Sequence, residues 1–139
     1  MAPLPSLTET DTLKWTDGRP IEPNQVYLLK NIQFDLNSYQ VLLASHPDLD
    51  KMVEVLREKP EWKVELTGHT DDLGSDQYNL ELSQHRARSV ADYVVSKGIA
   101  DARIITKGFG KQQPLNLKMD EEGRSINRRV EVRFLMSDQ

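Results

Sequence analysis

The sequence predicts an α/β fold: an α+β sandwich in the order βαβαββ, with a mixed four-stranded sheet covered by helices on one face. Two observations carry the prediction. Within residues 64–93 the apolar period changes from two to helical spacing across a polar loop, the mark of a strand feeding a crossover helix. The remaining apolar stretches either alternate or recur at i, i+3, i+4, and turn residues separate them. At 139 residues the chain is long enough for one core without staples.

Residues 1–24 contain Pro3, Pro5, Pro20 and Pro23 with Gly18, and read as an extended lead-in or linker ahead of a domain spanning 25–139. Within the lead-in, Leu13 and Trp15 are apolar enough to dock on the domain, and Trp15 reads as the anchor of this tail rather than a ligand platform. The first strand spans 26–34, with Ile32 and Phe34 pointing one way, and stops at Asp35-Leu36-Asn37-Ser38; 39–44 reads as loop. Ser45 resembles an N-cap, with Pro47 in the first turn and Asp48 at N3. Leu49, Met52, Val53 and Leu56 follow at helical spacing, so the first helix runs to about Lys59, ahead of Pro60.

In the central unit Val64 and Leu66 alternate with Glu65 and Thr67, and the strand gives way to Gly68-His69-Thr70-Asp71-Asp72-Leu73-Gly74. Ser75 is an N-cap with Asp76 in the first turn, where a negative charge suits the helix dipole. Tyr78, Leu82, Val90, Ala91 and Val94 form the apolar face, and Lys97-Gly98 supplies a cation and a C′ glycine. A third strand is expected over 103–109. Residues 111–125 are polar and read as a long loop or one short helix. The last strand is expected over 126–135, with Ile126, Arg128, Val130, Val132 and Phe134 sharing one face.

Composition narrows the function. A net charge of −4 argues against a nucleic-acid binder, which needs a basic face. No cysteine means no disulfide framework and no thiolate chemistry. No run approaches a membrane span, so the segment is not expected to insert directly into a bilayer. The start, Met-Ala-Pro-Leu-Pro-Ser, lacks the basic and apolar regions of a signal peptide, which says nothing of location if the chain is part of a longer exported protein.

The polar residues of the central unit have a pattern of their own. Asn79, Ser83 and Arg86 are spaced by four and three and stack along one helix face. Thr70 and Asp71 lie at the C-terminal end of the strand, where open α/β sheets bind ligands. A carboxylate and a guanidinium at one cleft suit a ligand with both an ammonium and a carboxylate, such as the zwitterionic end of an amino acid. The plainer alternative is that Asp71 caps a turn and Arg86 pairs with it at the surface. Arg128, on an apolar strand face, must be paired: either it reaches this cleft or it forms a salt bridge at the sheet edge. Other chemistries are poorly supported. His69 with Asp71 and Asp72 has no metal-binding spacing and no thiols, Ser75 and Ser83 lie in no nucleophile elbow, and no cofactor motif is present. His69 is expected to fix its loop by hydrogen bonding.

Gly68-His69-Thr70-Asp71, Gly74-Ser75, Tyr78-Asn79, Leu82-Ser83, Arg86-Ala87 and Val90 together resemble the signature of the OmpA C-terminal-like domain. This is the peptidoglycan-binding module of outer-membrane porins, peptidoglycan-associated lipoproteins and flagellar stator proteins. Ile32-Gln33-Phe34-Asp35, Gly108-Phe109-Gly110 with Pro114, and Gly123-Arg124 ahead of Asn127-Arg128-Arg129-Val130-Glu131 agree with it. The resemblance covers about 26–135. It implies a non-catalytic module in the periplasm, attached to the outer membrane through a part of the protein outside this chain. The implied ligand is the meso-diaminopimelate of the peptidoglycan stem peptide, with other envelope proteins as further partners. Asp71 would take the ammonium and Arg86 the carboxylate. Arg128, Thr70, Asn79 and the loop from Asp35 to Asn37 would line the pocket. A cleft of the same fold turned to a protein partner, such as a C-terminus, is the alternative.

Overall fold

The computed structural model describes residues 14–15, 18–29, 46–115, 117 and 120–136. A four-stranded sheet runs in the order β1-β4-β2-β3, with β1 at Val26–Leu28, β2 at Trp62–Gly68, β3 at Ile104–Gly108 and β4 at Val130–Met136. Strands β2 and β3 are parallel, so a crossover must join them, and β4 is antiparallel to both β1 and β2. The α-helices among the described residues are α1 (His46–Glu58), α2 (Asp76–Ser96) and α3 (Glu121–Asn127). This is the expected mixed sheet with α1 and α2 on one face.

Alternation decides which face they cover. Val64 and Leu66 of β2, Val130, Val132 and Phe134 of β4, and Tyr27 of β1 are buried, while Lys63, Arg133, Val26 and Leu28 point away. Against this apolar face pack Leu49, Met52, Val53 and Leu56 of α1, the positions expected from helical spacing, joined by Val55. Helix α2 contributes Ala87, Val90, Ala91 and Val94. Its ends are those the sequence announces. Ser75 Oγ accepts from Tyr78 N at 3.1 Å, and Gly98 follows the Lys97 cap with φ of +102°.

The core extends into the segment read as lead-in. Trp15 is 2% exposed, donates from its indole nitrogen to Leu28 O at 2.9 Å, and lies 5.5 Å from the Tyr27 ring and 6.2 Å from that of Phe134. Ile21 is buried with it, and the Tyr27 hydroxyl donates to Pro20 O at 2.8 Å. Trp15 is thus a docking anchor, as expected. Leu13, the Ser45 cap, the loop at 39–44 and the continuation of the first strand to Phe34 lie outside the described residues.

The expected last strand needs correction at its start. Residues 126 and 127 end α3 and Arg128 is its C-cap, so β4 begins only at Val130. Asp120 accepts from Gly123 N at 2.9 Å, and Glu121 and Glu122 fill the first turn. A capped, acidic N-terminus favours helix here over the two extra alternating positions that suggested strand. Arg128 therefore does not lie on the apolar face of a strand. Tyr78 also departs from expectation: it is 43% exposed, because the inward face of the first turns of α2 is taken by Asn79 and Ser83.

Candidate functional site

The loop between β2 and α2 is held close to the sheet by glycine. A Cβ on Gly68 would lie 2.0 Å from Ser83 O, and one on Gly108 would lie 2.5 Å from Ser83 Oγ. Two neighbouring strands thus offer bare backbone to one turn of α2. The close approach brings the polar face of the helix inside the protein. Asn79, Ser83 and Arg86 are 1%, 0% and 1% exposed. Ser83 Oγ donates to Leu80 O and accepts from Gly110 N at 2.9 Å, while Asn79 Nδ2 donates to Leu73 O at 2.6 Å. Helix, loop and the turn after β3 are locked together by these bonds.

Charge is then concentrated at the loop. Thr70 and Asp71 are buried, and Thr70 N donates to Gly110 O. Asp71 Oδ1 accepts from Leu73 N at 3.1 Å, which caps the turn, and Oδ2 accepts from Arg128 Nη1 at 2.8 Å. Arg128 also donates through Nη2 to Glu121. Burial works against the Arg128 charge, but the hydrogen bonds to Glu121 and Asp71 outweigh it, and its pKa rises. Arg86 Nη1 donates to His69 O at 3.2 Å. Burial, with the positive charge of Arg128 adding to it, lowers the Arg86 pKa to about 10; Asp71 opposes the shift. Arg86 therefore stays charged at neutral pH. A buried cation of this kind is costly unless matched by negative charge, and Asp71 supplies negative potential at Arg86.

Asp71, Arg86 and Arg128 thus form one electrostatic cluster, with Thr70 and Asn79 in the same loop–helix contact. Arg128 reaches it from α3, not from β4, and of the two expected alternatives it takes the cleft, paired there with Asp71. Asp35 and Asn37 lie outside the described residues. Sequence reasoning missed the second half of the cluster. Glu121, Arg124 and Arg128 fall at spacings of three and four on α3 and turn toward the loop, where Arg124 Nε meets Asp72 Oδ1 at 2.8 Å. That hydrogen bond to Arg124 holds the Asp72 carboxyl below its ordinary pKa. The usable signal was Asp120-Glu121-Glu122, an N-cap followed by two acids.

His69 fixes its loop by hydrogen bonding, as expected, but through its backbone and not its ring. Its backbone fixes the loop, N donating to Arg129 O at 2.9 Å and O accepting from Arg86. The imidazole, fully buried, has no hydrogen-bond partner on either nitrogen among the described residues and stacks on Phe109 at 5.8 Å. Burial, assisted by the charge of Arg129, pushes its pKa down to about 3. The ring is therefore neutral, and the 3.8 Å approach of Nε2 to Glu131 is not an ion pair at neutral pH. Hollows bounded by described residues lie to the side of the charge cluster. One of about 450 Å³, between Gln77, Leu80, Glu81, Phe109 and Lys111, is lined by none of Asp71, Arg86 and Arg128. The chemistry, not the cavity size, marks the site.

Fold and loop chemistry together define an OmpA-family domain. The family's model matches residues 33–128, and the chain belongs to that family. Among curated relatives, the chain is 38% identical over 102 residues to outer membrane porin F of Pseudomonas fluorescens, covering 73% of this chain and 31% of that protein. It is 37% identical over 101 residues to the peptidoglycan-binding protein ArfA of Mycobacterium tuberculosis, again covering 73% and 31%. The chain thus spans about a third of the length of these relatives. Among solved structures, the peptidoglycan-associated lipoprotein from Burkholderia pseudomallei superposes with a TM-score of 0.72 at 31% identity, covering 74% of this chain and 87% of that one.

Proposed function

We propose that the chain is a non-catalytic peptidoglycan-binding module that anchors an outer-membrane or periplasmic protein to the cell wall. It does so by holding the zwitterionic end of the diaminopimelate residue in the stem peptide. The observation that carries this reading is a buried trio beside the end of β2: one carboxylate, Asp71, ion-paired with Arg128 and acting electrostatically on Arg86. Asp71 has lone pairs left for an ammonium, and the forks of Arg86 and Arg128 can grip a carboxylate with paired N–H donors. Thr70 and Asn79 contribute polar walls, and the resemblance adds Asp35 and Asn37 as further ligand contacts. Family membership supports the same ligand class, since relatives are named for binding or association with peptidoglycan. The neutral, enclosed imidazole of His69 is a poor proton carrier, which supports a module that binds without reacting.

Co-sedimentation with purified peptidoglycan sacculi tests the proposal. Asp71→Asn removes one charge-assisted contact, roughly 1.5–3 kcal/mol, or about 10- to 100-fold in affinity. Because Asp71 also neutralises Arg128, the folded fraction is measured by near-ultraviolet circular dichroism on the same sample. A folded variant that sediments as well as wild type refutes the site; wild type that stays in solution refutes the ligand class.

A further inference from the structure

Arg128 is shared by two carboxylates of unlike standing. On the inner side its partner is Asp71, and both side chains are buried, at 5% and 3% exposed. On the outer side its partner is Glu121, whose side chain is 73% exposed. Glu121 is the first residue of α3, and the helix has its own tether to the loop through Arg124 and Asp72. The Glu121 side chain can therefore leave the guanidinium without releasing the helix.

We propose that Glu121 is an internal competitor of the ligand: a carboxylate that occupies the outer donors of Arg128 until a ligand carboxylate displaces it. The proposal rests on the reading of this cleft as a zwitterion site and adds a competitor to it. The two contacts of Arg128 differ in how cheaply they exchange. Asp71 is surrounded by protein, so losing it strands a buried charge. Glu121, exposed on its own side, regains water on leaving, so it exchanges at lower cost than Asp71. An arriving carboxylate replaces Glu121 with a group of the same charge and hydrogen-bonding capacity, so Arg128 keeps its compensation throughout. A neutral carboxamide in the same place cannot match the charge of Glu121 and does not dislodge it. Glu121 thereby lowers the affinity of every carboxylate ligand by the worth of its own ion pair with Arg128.

The test is calorimetric titration with a stem tripeptide ending in meso-diaminopimelate, in two forms: the side-chain carboxylate free, or amidated. Glu121→Gln should bind the free acid about 2- to 5-fold more tightly than wild type, the worth of one half-exposed ion pair, and the amide should gain less, because a carboxamide makes only a weaker, uncharged contact with the vacated donors. Glu122→Gln, on the next and also exposed residue, controls for simple loss of negative charge and should gain nothing. Melting temperature on the same samples establishes that each variant is folded, and Glu121→Ser repeats the measurement should glutamine disturb the helix start. Equal gain for acid and amide, equal gain in Glu122→Gln, or no gain in either Glu121 variant overturns the competitor role. Wild type that binds neither peptide overturns the diaminopimelate reading and this inference with it, a result distinct from the other three.

Discussion

Acid should destabilise this domain through a single buried ring before its carboxylates titrate. His69 has a folded-state pKa of about 3, against an unfolded value near 6.5, because burial excludes the charged form. Between those values the unfolded chain binds a proton that the folded chain refuses, so stability is complete above about pH 6.5 and declines as pH falls below it. At pH 5 the unfolded imidazole is already protonated through about 1.5 pH units, which at 1.36 kcal/mol per unit is a loss of roughly 2 kcal/mol. Carboxylates held low by their partners, Asp72 and Glu65 among them, contribute only further down, near and below their ordinary range. The window from pH 7.5 to 5 therefore isolates histidine, and His69→Leu isolates this one. Leucine fills similar space and has no nitrogen to leave unbonded. Urea unfolding of both proteins at the two pH values is the assay. Wild type should lose about 2 kcal/mol more than His69→Leu over that interval. Parallel losses would refute the reasoning, because they would mean that the folded protein accepts a proton on His69 as readily as the unfolded chain.

Two further outcomes follow from the geometry. Arg86→Lys keeps the charge but loses the planar fork, so affinity for sacculi should fall nearly as far as in Arg86→Ala; near-normal binding by the lysine variant would reduce Arg86 to a point charge. Gly68→Ala sets a methyl group 2.0 Å from Ser83 O in the backbone of α2, and at the upper end of overpacking should cost about 3 kcal/mol in urea unfolding. A loss under about 1 kcal/mol would show that the helix yields easily at this contact.

What the sequence made legible, and what it did not, divides along the range of the interactions involved. Helices α1 and α2 are set by local signals: the Ser75 cap, Gly98 after Lys97, and Leu49, Met52, Val53 and Leu56 on one stripe. Their positions could be read without knowing what they pack on. The face of Asn79, Ser83 and Arg86 was legible for the same reason. The start of β4 was not, because alternation continues through Ile126 and Arg128 while the decisive helix signal sits at Asp120-Glu121-Glu122, ahead of it. Arg128 was recognised as a residue needing a partner, yet its element was wrong and Glu121 went unnoticed, since that ion pair depends on where α3 lies. His69 shows a further limit. No pattern in the chain distinguishes a histidine whose ring is bonded from one whose backbone carries the bonds, and only the packing of Phe109 and the approach of Arg129 settle it.

Trp15 has a mechanical consequence. The chain upstream of β1 turns back on itself, with Trp15 N donating to Arg19 O and Lys14 bridging to Pro20, before it enters the sheet at Val26. A pull on the polypeptide from the N-terminal side therefore reaches the indole before it reaches the edge strand. Strand β1 is three residues long, and its bonds to β4 would otherwise be stripped one after another. An indole wedged between Tyr27 and Phe134 must leave as a unit, exposing its whole apolar surface at once. The tryptophan acts as a knot behind the edge strand, so tension is borne by the hydrophobic core instead of by the shortest row of paired residues in the sheet.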